Sequence, residues 1–271
     1  MTRRLTILGC GSSGGVPRLG PNWGQCDPAN PRNRRRRASI LLDRFSDQGR
    51  TSVLVDTSPD MREQLIDCKV SWLDGVLFSH DHADHTHGID DLRMIAFNGR
   101  RKVDVYLDEP TRHGLETRFR YCFRSNPGSM YPPILETHPL APLQPVIISG
   151  KGGVIETLPL DQEHGDIRSL GFRIGNVAYS SDASGFPGAT LERLRNLDVW
   201  ILGALRYLPH PAHFSVSQAL AMIEKLKPRR AILTHLHVDL DYDKLRAELP
   251  ANVEPAFDGM TIDIDTGVIG G

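Results

Sequence analysis

The sequence has few of the features that stabilise secreted proteins or anchor membrane proteins. It contains four cysteines among 271 residues, and no two of them form a C-x-x-C pair. This pattern argues against a disulfide framework or a zinc knuckle and favours reduced, mostly buried thiols. No apolar run approaches the roughly 20 residues that a membrane-spanning helix needs. Only four residues separate Arg4 from Gly9, too few for the apolar core of a secretory signal, so we expect a cytoplasmic location.

An excess of charge of either sign is also lacking. The 32 lysines and arginines nearly balance the 33 aspartates and glutamates, which leaves a net charge of −1. No global field therefore attracts nucleic acid or an anionic membrane. The local exception is a basic cluster at Arg32 and residues 34–37. A solvated loop before a strand and a binding site for an anionic substrate are equally good interpretations of this cluster.

Short β-like runs alternate with helical patterns along the chain, without an internal repeat or an obvious linker. The β-like runs are residues 5–8, 39–45, 51–56, 75–78, 103–107, 154–158, 172–174, 177–180, 199–202, 231–234 and 260–264. The helical patterns are 59–68, 90–97, 111–123, 189–196, 215–226 and 241–249. This order fits two sheets packed face to face, with helices outside, better than a doubly wound sheet. We expect an α+β fold in one domain over residues 1–271, with a break at 131–145 as the alternative.

One short segment concentrates residues that bind metal ions. The run GVLFS is followed by His80-Asp-His82-Ala-Asp84-His85, which places three imidazoles and two carboxylates within six residues. An H-x-H pair at a strand end can direct both rings at one ion, and the D-H that follows can supply a second ion. The alternative is a surface histidine cluster that binds metal only adventitiously, and the rest of the chain argues against it.

Four more polar residues stand where an apolar run ends. They are Asp56, His164, Asp182 and His235. Taken singly, a strand-end aspartate is commonly a turn former and a lone histidine is commonly a surface residue. Taken together with the H-x-H-x-D-H motif, they predict a site at one rim of a sandwich.

The number of candidate ligands suffices for two ions. The seven candidates are His80, His82, Asp84, His85, His164, Asp182 and His235. If the carboxylate of Asp182 bridges, seven residues form eight bonds, four to each ion, and a bridging water completes both shells. Two such ions lower the pKa of that water and stabilise a displacement at phosphorus or carbonyl carbon. Asp56 is then a candidate to accept the other ring N–H of a ligand histidine, and His237 is a second candidate for a supporting position.

A glycine-rich pattern near the N-terminus resembles a dinucleotide fingerprint by spacing alone. G-x-G-x-x-G begins at Gly9, but the fingerprint requires a helix at its third glycine, and the residues GVP that follow resist a helix start. We therefore reject a dinucleotide cofactor and expect a loop near the metals. Ser12 and Ser13 in that loop, and Arg37 in the basic cluster, are weak candidates for substrate contacts.

A well-formed helix start lies close to another histidine. Ser215-Val-Ser-Gln218 matches a capping box ahead of a helical pattern that runs to Leu226. The positive end of this helix should therefore point toward whatever lies beside His213.

These motifs together resemble the metallo-β-lactamase superfamily, whose order of ligand motifs matches most of the chain. Several stretches are similar, more closely, to the PhnP-like branch, whose phosphonate-pathway member is a cyclic phosphodiesterase. They are GCGSSGGVP, NPRNRRRRAS, SHDHADHTHGIDDLR, SSDASG, LTH and FDGM. The resemblance implies an αββα four-layer metallo-β-lactamase sandwich, with two mixed sheets flanked by helices.

The resemblance also implies a role for each site residue. The implied ligands are His80, His82 and His164 for the first ion and Asp84, His85 and His235 for the second, with Asp182 bridging. His213 matches a family histidine that contacts the phosphate and assists the leaving group. We count His213 and Asp84 as the catalytic residues.

The chain departs from the branch in its N-terminal loop. The phosphonate-pathway member has a cysteine cluster there that binds a structural zinc, whereas residues 20–26 of this chain keep only Cys26. We therefore expect no structural zinc, and the departure weakens the transfer of that member's exact substrate.

The leading hypothesis is a metal-dependent phosphodiesterase that cleaves a small phosphate ester, such as a cyclic ribosyl or nucleotide phosphate, with a water activated between the two ions. The alternatives are a ribonuclease Z-type RNA endonuclease, a lactone or thioester hydrolase, and a nucleic-acid-binding module that uses the basic cluster. The lack of a long basic insertion argues against the ribonuclease Z-type endonuclease, and the full ligand set argues against the binding module. Expected cofactors are two divalent ions, zinc or manganese, with iron as a further option. The expected partner is a small phosphate-ester substrate and not a membrane, while nucleic acid, which is less favoured, and a homodimer are left open.

Overall fold

The strands form two mixed sheets whose inner faces pack against each other. In this computed structural model, which describes residues 2–125 and 127–271, the strands are β1 Thr2–Gly9, β2 Ser39–Ser46, β3 Gly49–Val55, β4 Gly75–Leu77, β5 Val103–Leu107, β6 Leu135–Pro139, β7 Val146–Gly150, β8 Gly153–His164, β9 Ile167–Ile174, β10 Val177–Ser180, β11 Val199–Gly203, β12 Arg230–Thr234, β13 Val253–Pro255, β14 Thr261–Asp263 and β15 Ile269–Gly270. One sheet has the order β15-β14-β1-β2-β3-β4-β5-β6, and the other has the order β13-β12-β11-β10-β9-β8-β7.

Helices cover the outer face of each sheet. The α-helices are α1 Met61–Asp67, α2 Ala83–Thr86, α3 Leu92–Gly99, α4 Glu109–Arg118, α5 Arg120–Phe123, α6 Gly188–Arg193, α7 Val216–Leu226 and α8 Tyr242–Glu248, and 3-10 turns lie at Pro31–Asn33 and Ile89–Asp91. Buried side chains of α1, α3, α4 and α5 pack on the first sheet, and those of α7 and α8 pack on the second. The four layers confirm the predicted αββα sandwich.

The core between the sheets follows from the alternation of side chains along each strand. Ile40 and Leu42 of β2 point into the space between the sheets, where they meet residues such as Phe172 of β9, whereas Leu41 packs outward under the helices. This alternation of two is what a strand imposes on its side chains. Because this part of β2 is covered on both faces, its three consecutive apolar residues, Ile40, Leu41 and Leu42, are all buried.

The parallel strands of both sheets end at one rim. β3, β4, β5 and β6 are parallel to one another in the first sheet, as are β10, β11, β12 and β13 in the second. Asp56 directly follows β3, and His80 follows β4 after two residues. In the second sheet, Asp182 follows the end of β10 after one residue, and His235 directly follows β12. Residues that are far apart in the chain are thereby brought to one edge, as is usual at the carboxyl ends of parallel strands.

The structure differs from the expected elements where tertiary contacts override the local pattern. The helix expected over 111–123 is interrupted at Phe119, whose φ of −124° is not helical, and forms α4 and α5. The proline-rich stretch 131–145 contains β6 and then crosses from the first sheet to β7 of the second. This stretch therefore connects the two sheets. That the chain forms one domain over residues 1–271 stays a prediction. Within the described ranges, every helix is too short or too polar to cross a membrane.

Candidate metal centre

The predicted ligands converge on the buried carboxylate of Asp182, and we call this group the histidine-aspartate cluster. Its members are His80, His82, Asp84, His85, His164, Asp182 and His235. A first triad within it consists of His80, His82 and His164, whose ligating atoms all lie within 4.8 Å of one another. Nδ1 of His82 lies 3.2 Å from Nε2 of His164. These spacings allow the three rings to share one ion.

A second triad lies on the other side of Asp182. It consists of Asp84, His85 and His235, again with ligating atoms within 4.8 Å of one another. Nε2 of His85 lies 3.4 Å from Oδ2 of Asp84. Asp84 and His85 belong to the short helix α2, which begins directly after His82.

The two carboxylate oxygens of Asp182 face different neighbours. Oδ1 lies 3.1 Å from Nε2 of His85 and 3.2 Å from Nδ1 of His235. Oδ2 lies 3.7 Å from Nε2 of His164 and 3.7 Å from Nδ1 of His213. One carboxylate therefore lies between the two triads, where it can contact an ion in each.

Several polar atoms that face this space have no hydrogen-bond partner in the described part of the chain. They are Nε2 of His80, Nε2 of His85, Oδ1 of Asp182, Nδ1 of His213 and Nδ1 of His235. Buried polar atoms are rarely left unsatisfied, because each one loses the hydrogen bonds it would make with water. Imidazole nitrogens and carboxylate oxygens are the donors that zinc, manganese and iron accept. The residues present therefore fit divalent metal ions, as the resemblance in sequence implies.

Burial and charge set the protonation of the cluster. Burial, helped by the nearby His85, lowers the pKa of His80 well below its usual range, so this ring is neutral and able to bind metal. Burial alone would also lower the pKa of His85, but the carboxylates of Asp182 and Asp84 raise it well above its usual range. Although burial opposes it, the charges of His235 and His85 hold the pKa of Asp182 well below its usual range. Asp182 is therefore ionised.

Hydrogen bonds behind the cluster orient its rings. Oδ2 of Asp56 lies 2.7 Å from Nδ1 of His85, so this nitrogen donates and Nε2 is left facing Asp182. Asp56 also accepts hydrogen bonds from the backbone N–H and the hydroxyl of Ser79, each at 2.7 Å. The Ser79 hydroxyl lies 3.0 Å from Nδ1 of His80 and orients that ring as well. Ser79 was not singled out from the sequence, where nothing distinguishes it from other strand-end serines.

Replacing Asp56 by asparagine should weaken metal binding, because the amide does not supply the negative charge that holds the Nδ1 proton of His85. We expect the affinity for divalent ions to fall by roughly 10- to 100-fold, the usual effect of losing such a partner. Competition with a chromophoric chelator measures this change. Asp104 offers a matched control, since its carboxylate accepts from His138 at 2.7 Å on β5 and β6. An Asp104→Asn variant with the same loss would show that the effect is not specific to the site.

His213 lies beside the cluster and stacks on one of its rings. Its ring centroid is 4.8 Å from that of His235, with an interplanar angle of 16°, and 4.7 Å from that of His164. Burial, followed by the charge of His235, lowers the pKa of His213 to about 3. A nearby anionic group is therefore needed to keep this ring protonated near neutral pH. His210, whose ring centroid is 5.1 Å from that of His213, had no supporting context in the sequence.

The helix after His213 begins as predicted. Ser215 accepts a hydrogen bond from the backbone N–H of Gln218, and the Gln218 side chain accepts one from the backbone N–H of Ser215, which confirms the capping box. The cap fixes the backbone where the chain leaves the site. It therefore contributes to the position of His213, two residues earlier.

The weaker candidates for substrate contacts lie in different environments. Ser12 is 2% exposed and its hydroxyl has no partner among the residues described, whereas Ser13 is exposed. Nε of Arg37 lies 2.9 Å from Oδ2 of Asp60, so this guanidinium is engaged in an ion pair. Contacts with substrate stay predictions for all three.

The basic cluster is divided among several partners of its own chain. Arg35 is buried and donates to the backbone oxygen of His237 at 3.2 Å. Arg36 pairs with Asp67, and Arg32 stacks over the ring of Tyr242. These contacts give the cluster a structural role that neither of the two interpretations of the sequence included.

Cys26 lies in a small apolar cluster with Val16 and Val238. Its thiol is buried, and its sulfur lies 3.4 Å from the backbone oxygens of Val238 and Leu240. Burial raises the pKa of this thiol. The described contacts are those of a packed, protonated cysteine.

A Cys26→Ser variant should therefore keep the metal content of the unaltered protein, since a serine hydroxyl can donate to the same two carbonyls. Elemental analysis of both proteins after metal loading measures this. Loss of one metal equivalent would reveal a structural site at this loop. Loss of stability with unchanged metal would show only that the larger sulfur packs better there.

Comparisons with known proteins agree with this geometry. Residues 51–236 match the family described as the beta-lactamase superfamily domain. The chain is similar to the crystal structure of a diphosphatase of the PhnP family, with 33% identity, 97% coverage of each chain and a TM-score of 0.84. It has the same fold as the short form of human tRNase Z, at 18% identity, with 96% of this chain and 99% of that chain covered and a TM-score of 0.61.

A third relative is named for a different chemistry. Over 267 residues the chain is 32% identical to an octanoyltransferase of Porphyromonas gingivalis, and the match covers 97% of this chain but 52% of that protein. The chain thus spans about half the length of this curated relative.

Proposed function

The chain belongs to the beta-lactamase superfamily, and from that premise we propose that it is a phosphodiesterase with two divalent metal ions that cleaves a small phosphate ester. The observation that supports this proposal most is the position of Asp182 between two ligand triads, with His213 next to it and in neither triad. Residues placed to hold two ions, with one further histidine beside them, would suit in-line displacement at phosphorus.

Different residues of the chain would hold the ions and orient the ligand rings. His80, His82 and His164 would hold one ion, Asp84, His85 and His235 would hold the other, and Asp182 would contact both. When bound, such ions act as Lewis acids toward the phosphoryl group and lower the pKa of a nearby water. The hydrogen bonds that His85 donates to Asp56 and His80 donates to Ser79 keep these buried rings in the tautomers that leave a nitrogen for metal.

His213 and Asp84 are the proposed catalytic residues. An anionic phosphate beside His213 would favour its protonated form, which can then donate to the leaving oxygen. Burial raises the pKa of Asp84, but the charge of His85 outweighs it and holds this pKa well below the usual range. Asp84 therefore stays ionised and can orient a water by accepting its hydrogen bond.

An acyl hydrolase is the second candidate, because the octanoyltransferase relative is nearly as similar in sequence as the diphosphatase is. Both reactions use a water that attacks an electrophile, so the ligand set does not separate them. The charge of the substrate separates the two reactions, because a thioester presents a neutral carbonyl whereas a phosphodiester presents an anion that His213 could contact.

A substrate panel tests the proposal directly. Metal-loaded protein is assayed on bis(4-nitrophenyl) phosphate, a cyclic nucleotide phosphate, a diphosphate ester, a lactone and an octanoyl thioester. We expect metal-dependent turnover of the phosphorus esters. Turnover of the thioester or the lactone alone would overturn the proposal and establish the acyl hydrolase.

A further inference from the structure

A cavity of about 730 Å³ lies at the rim of the sandwich opposite the histidine-aspartate cluster. Several of its lining residues stand at the beginnings of parallel strands, whereas the cluster stands at their ends. Arg50 and Ser52 lie at the start of β3, Asp74 directly precedes β4, and Arg101 lies two residues before β5. The seven residues of β3 separate the two rims by roughly 20 Å. A small molecule in this cavity is therefore too far away to contact the metal centre.

The cavity is lined by four basic side chains and a single carboxylate. The basic residues are Arg50, Lys69, Arg101 and Lys151, and the carboxylate is that of Asp74. Arg50 is engaged with the buried carboxylate of Asp43, from which its Nε and Nη2 lie 2.6 and 2.9 Å. Among residues 2–125 and 127–271, no carboxylate is paired with any of the other three cations. The cavity therefore has an excess of positive charge, which a ligand with several negative charges would neutralise.

The carboxylate of Asp74 is occupied by hydrogen bonds that position one of these cations. Oδ2 of Asp74 accepts from the backbone N–H of Ser52 at 2.8 Å, and Oδ1 accepts from the indole N–H of Trp72 at 3.1 Å. The guanidinium carbon of Arg101 lies over the Trp72 ring, 4.3 Å from its centroid. Gly99 allows the end of α3 to lie against the same ring, since a Cβ at this position would collide with it. The stacked guanidinium keeps its N–H donors at the edge of the stack, where a ligand can accept them.

The turn between β7 and β8, which carries Lys151, is attached to the first sheet. The hydroxyl of Thr51 donates to the carbonyl of Gly153 at 2.7 Å and accepts from the N–H of Gly152 at 2.9 Å. The hydroxyl of Ser46 donates to the carbonyl of Lys151 at 3.2 Å. These bonds hold the backbone of Lys151 at the cavity while its side chain is exposed. An ammonium group on a fixed turn can therefore reach a ligand in the cavity.

We propose that this cavity, with Lys69, Arg101 and Lys151, binds a small molecule that carries a diphosphate group, at a site separate from the metal centre. The three cations come from the end of α1, the segment before β5 and the β7–β8 turn, so they can approach an extended anion from several sides. A diphosphate offers two linked anionic groups, whose oxygens suit both a planar guanidinium fork and compact ammonium groups. The volume lies within the range of roughly 300 to 1,000 Å³ that is usual for small-molecule pockets. Because no metal ligand takes part, the site is independent of the proposed function.

Nuclear magnetic resonance of the tryptophan side chains tests the inference at the cavity itself. The chain has three tryptophans, and the indole N–H resonance of Trp72 is assigned with Trp72→Phe. Pyrophosphate, ADP and inorganic phosphate are titrated separately into zinc-loaded protein. We expect pyrophosphate and ADP to shift this resonance saturably and phosphate to bind at least about tenfold more weakly, because it offers a single anionic group. Tighter binding of ADP would identify a nucleoside diphosphate as the ligand, and equal binding would identify the diphosphate group alone.

Variants of the two lysines measure their contribution. Lys69→Gln and Lys151→Gln should each raise the Kd for pyrophosphate by roughly tenfold, since each loses a charge-assisted hydrogen bond. Lys227 offers a matched control, because it is also exposed and also stands at a helix end with left-handed backbone, at a φ of 49° against 52° for Lys69. Lys227→Gln should leave the Kd unchanged. Equal melting temperatures of the three variants would show that the fold is retained.

The same variants separate the cavity from the metal centre. Diphosphates also bind metal ions, but neither lysine is a candidate metal ligand, so a shift that arises at the metal centre would persist in both variants. The inference is wrong if the Trp72 resonance does not move, if both variants retain the full shift, or if phosphate binds as tightly as pyrophosphate. The substrate panel tests the phosphodiesterase separately, so failure of one proposal leaves the other standing.

Discussion

Replacing Asp182 by alanine is expected to lower the metal content from two ions per chain to one or none and to slow phosphodiester hydrolysis by about 10³-fold or more. The reason is geometric, since Oδ1 faces His85 and His235 while Oδ2 faces His164. Among the described residues, Asp84, the other carboxylate of the cluster, is grouped with the second triad only. The remaining imidazoles would also lose the negative charge that offsets two divalent cations.

Elemental analysis of protein loaded under anaerobic, metal-replete conditions measures this result. Asp161 provides a matched control, because its carboxylate pairs with Arg168 at 2.6 Å on the surface of β8 and β9. Asp161→Ala should retain both ions and full activity. A reproducible single ion in the unaltered protein, with Asp182→Ala binding metal normally, would contradict a centre of two ions.

Replacing His213 by alanine should leave both ions and the fold intact while slowing hydrolysis by roughly 10²- to 10⁴-fold, as is typical when a general acid is lost. The loss should be smaller for a nitrophenyl ester than for an alkyl ester, because a nitrophenolate needs little protonation as it leaves. Rates of both esters with the variant and the unaltered protein measure this difference. His113→Ala on the exposed face of α4 is the control and should have no effect.

The other outcomes for His213 each exclude a part of the mechanism. An equal loss on good and poor leaving groups would mean that the ring only positions the phosphate. A loss of metal would make His213 a ligand, since one of its ring nitrogens lies within 4.8 Å of ligating atoms of His164 and Asp182. No loss at all would remove it from the reaction.

Local spacing allowed the sequence by itself to predict the first half of the site. His80, His82, Asp84 and His85 lie within six residues, so a strand end followed by one helical turn determines where their side chains point. The sandwich was predictable for a similar reason, because the apolar periodicity of each strand and helix is a local property. The capping box at Ser215 is another local pattern that could be read directly.

Only the tertiary structure decided which charged and polar groups are free to act. Arg37 and Arg18 look equivalent in the sequence, but one is paired with Asp60 and the other contacts His237, 219 residues further along the chain. Arg35 belongs to a basic run that the sequence suggests is solvated, yet its side chain is buried. It donates a hydrogen bond to the backbone oxygen of His237, which is 202 residues away in the sequence. A side chain's availability depends on the partners that long-range packing brings to it, and the strand order that places those partners is not written in any local pattern.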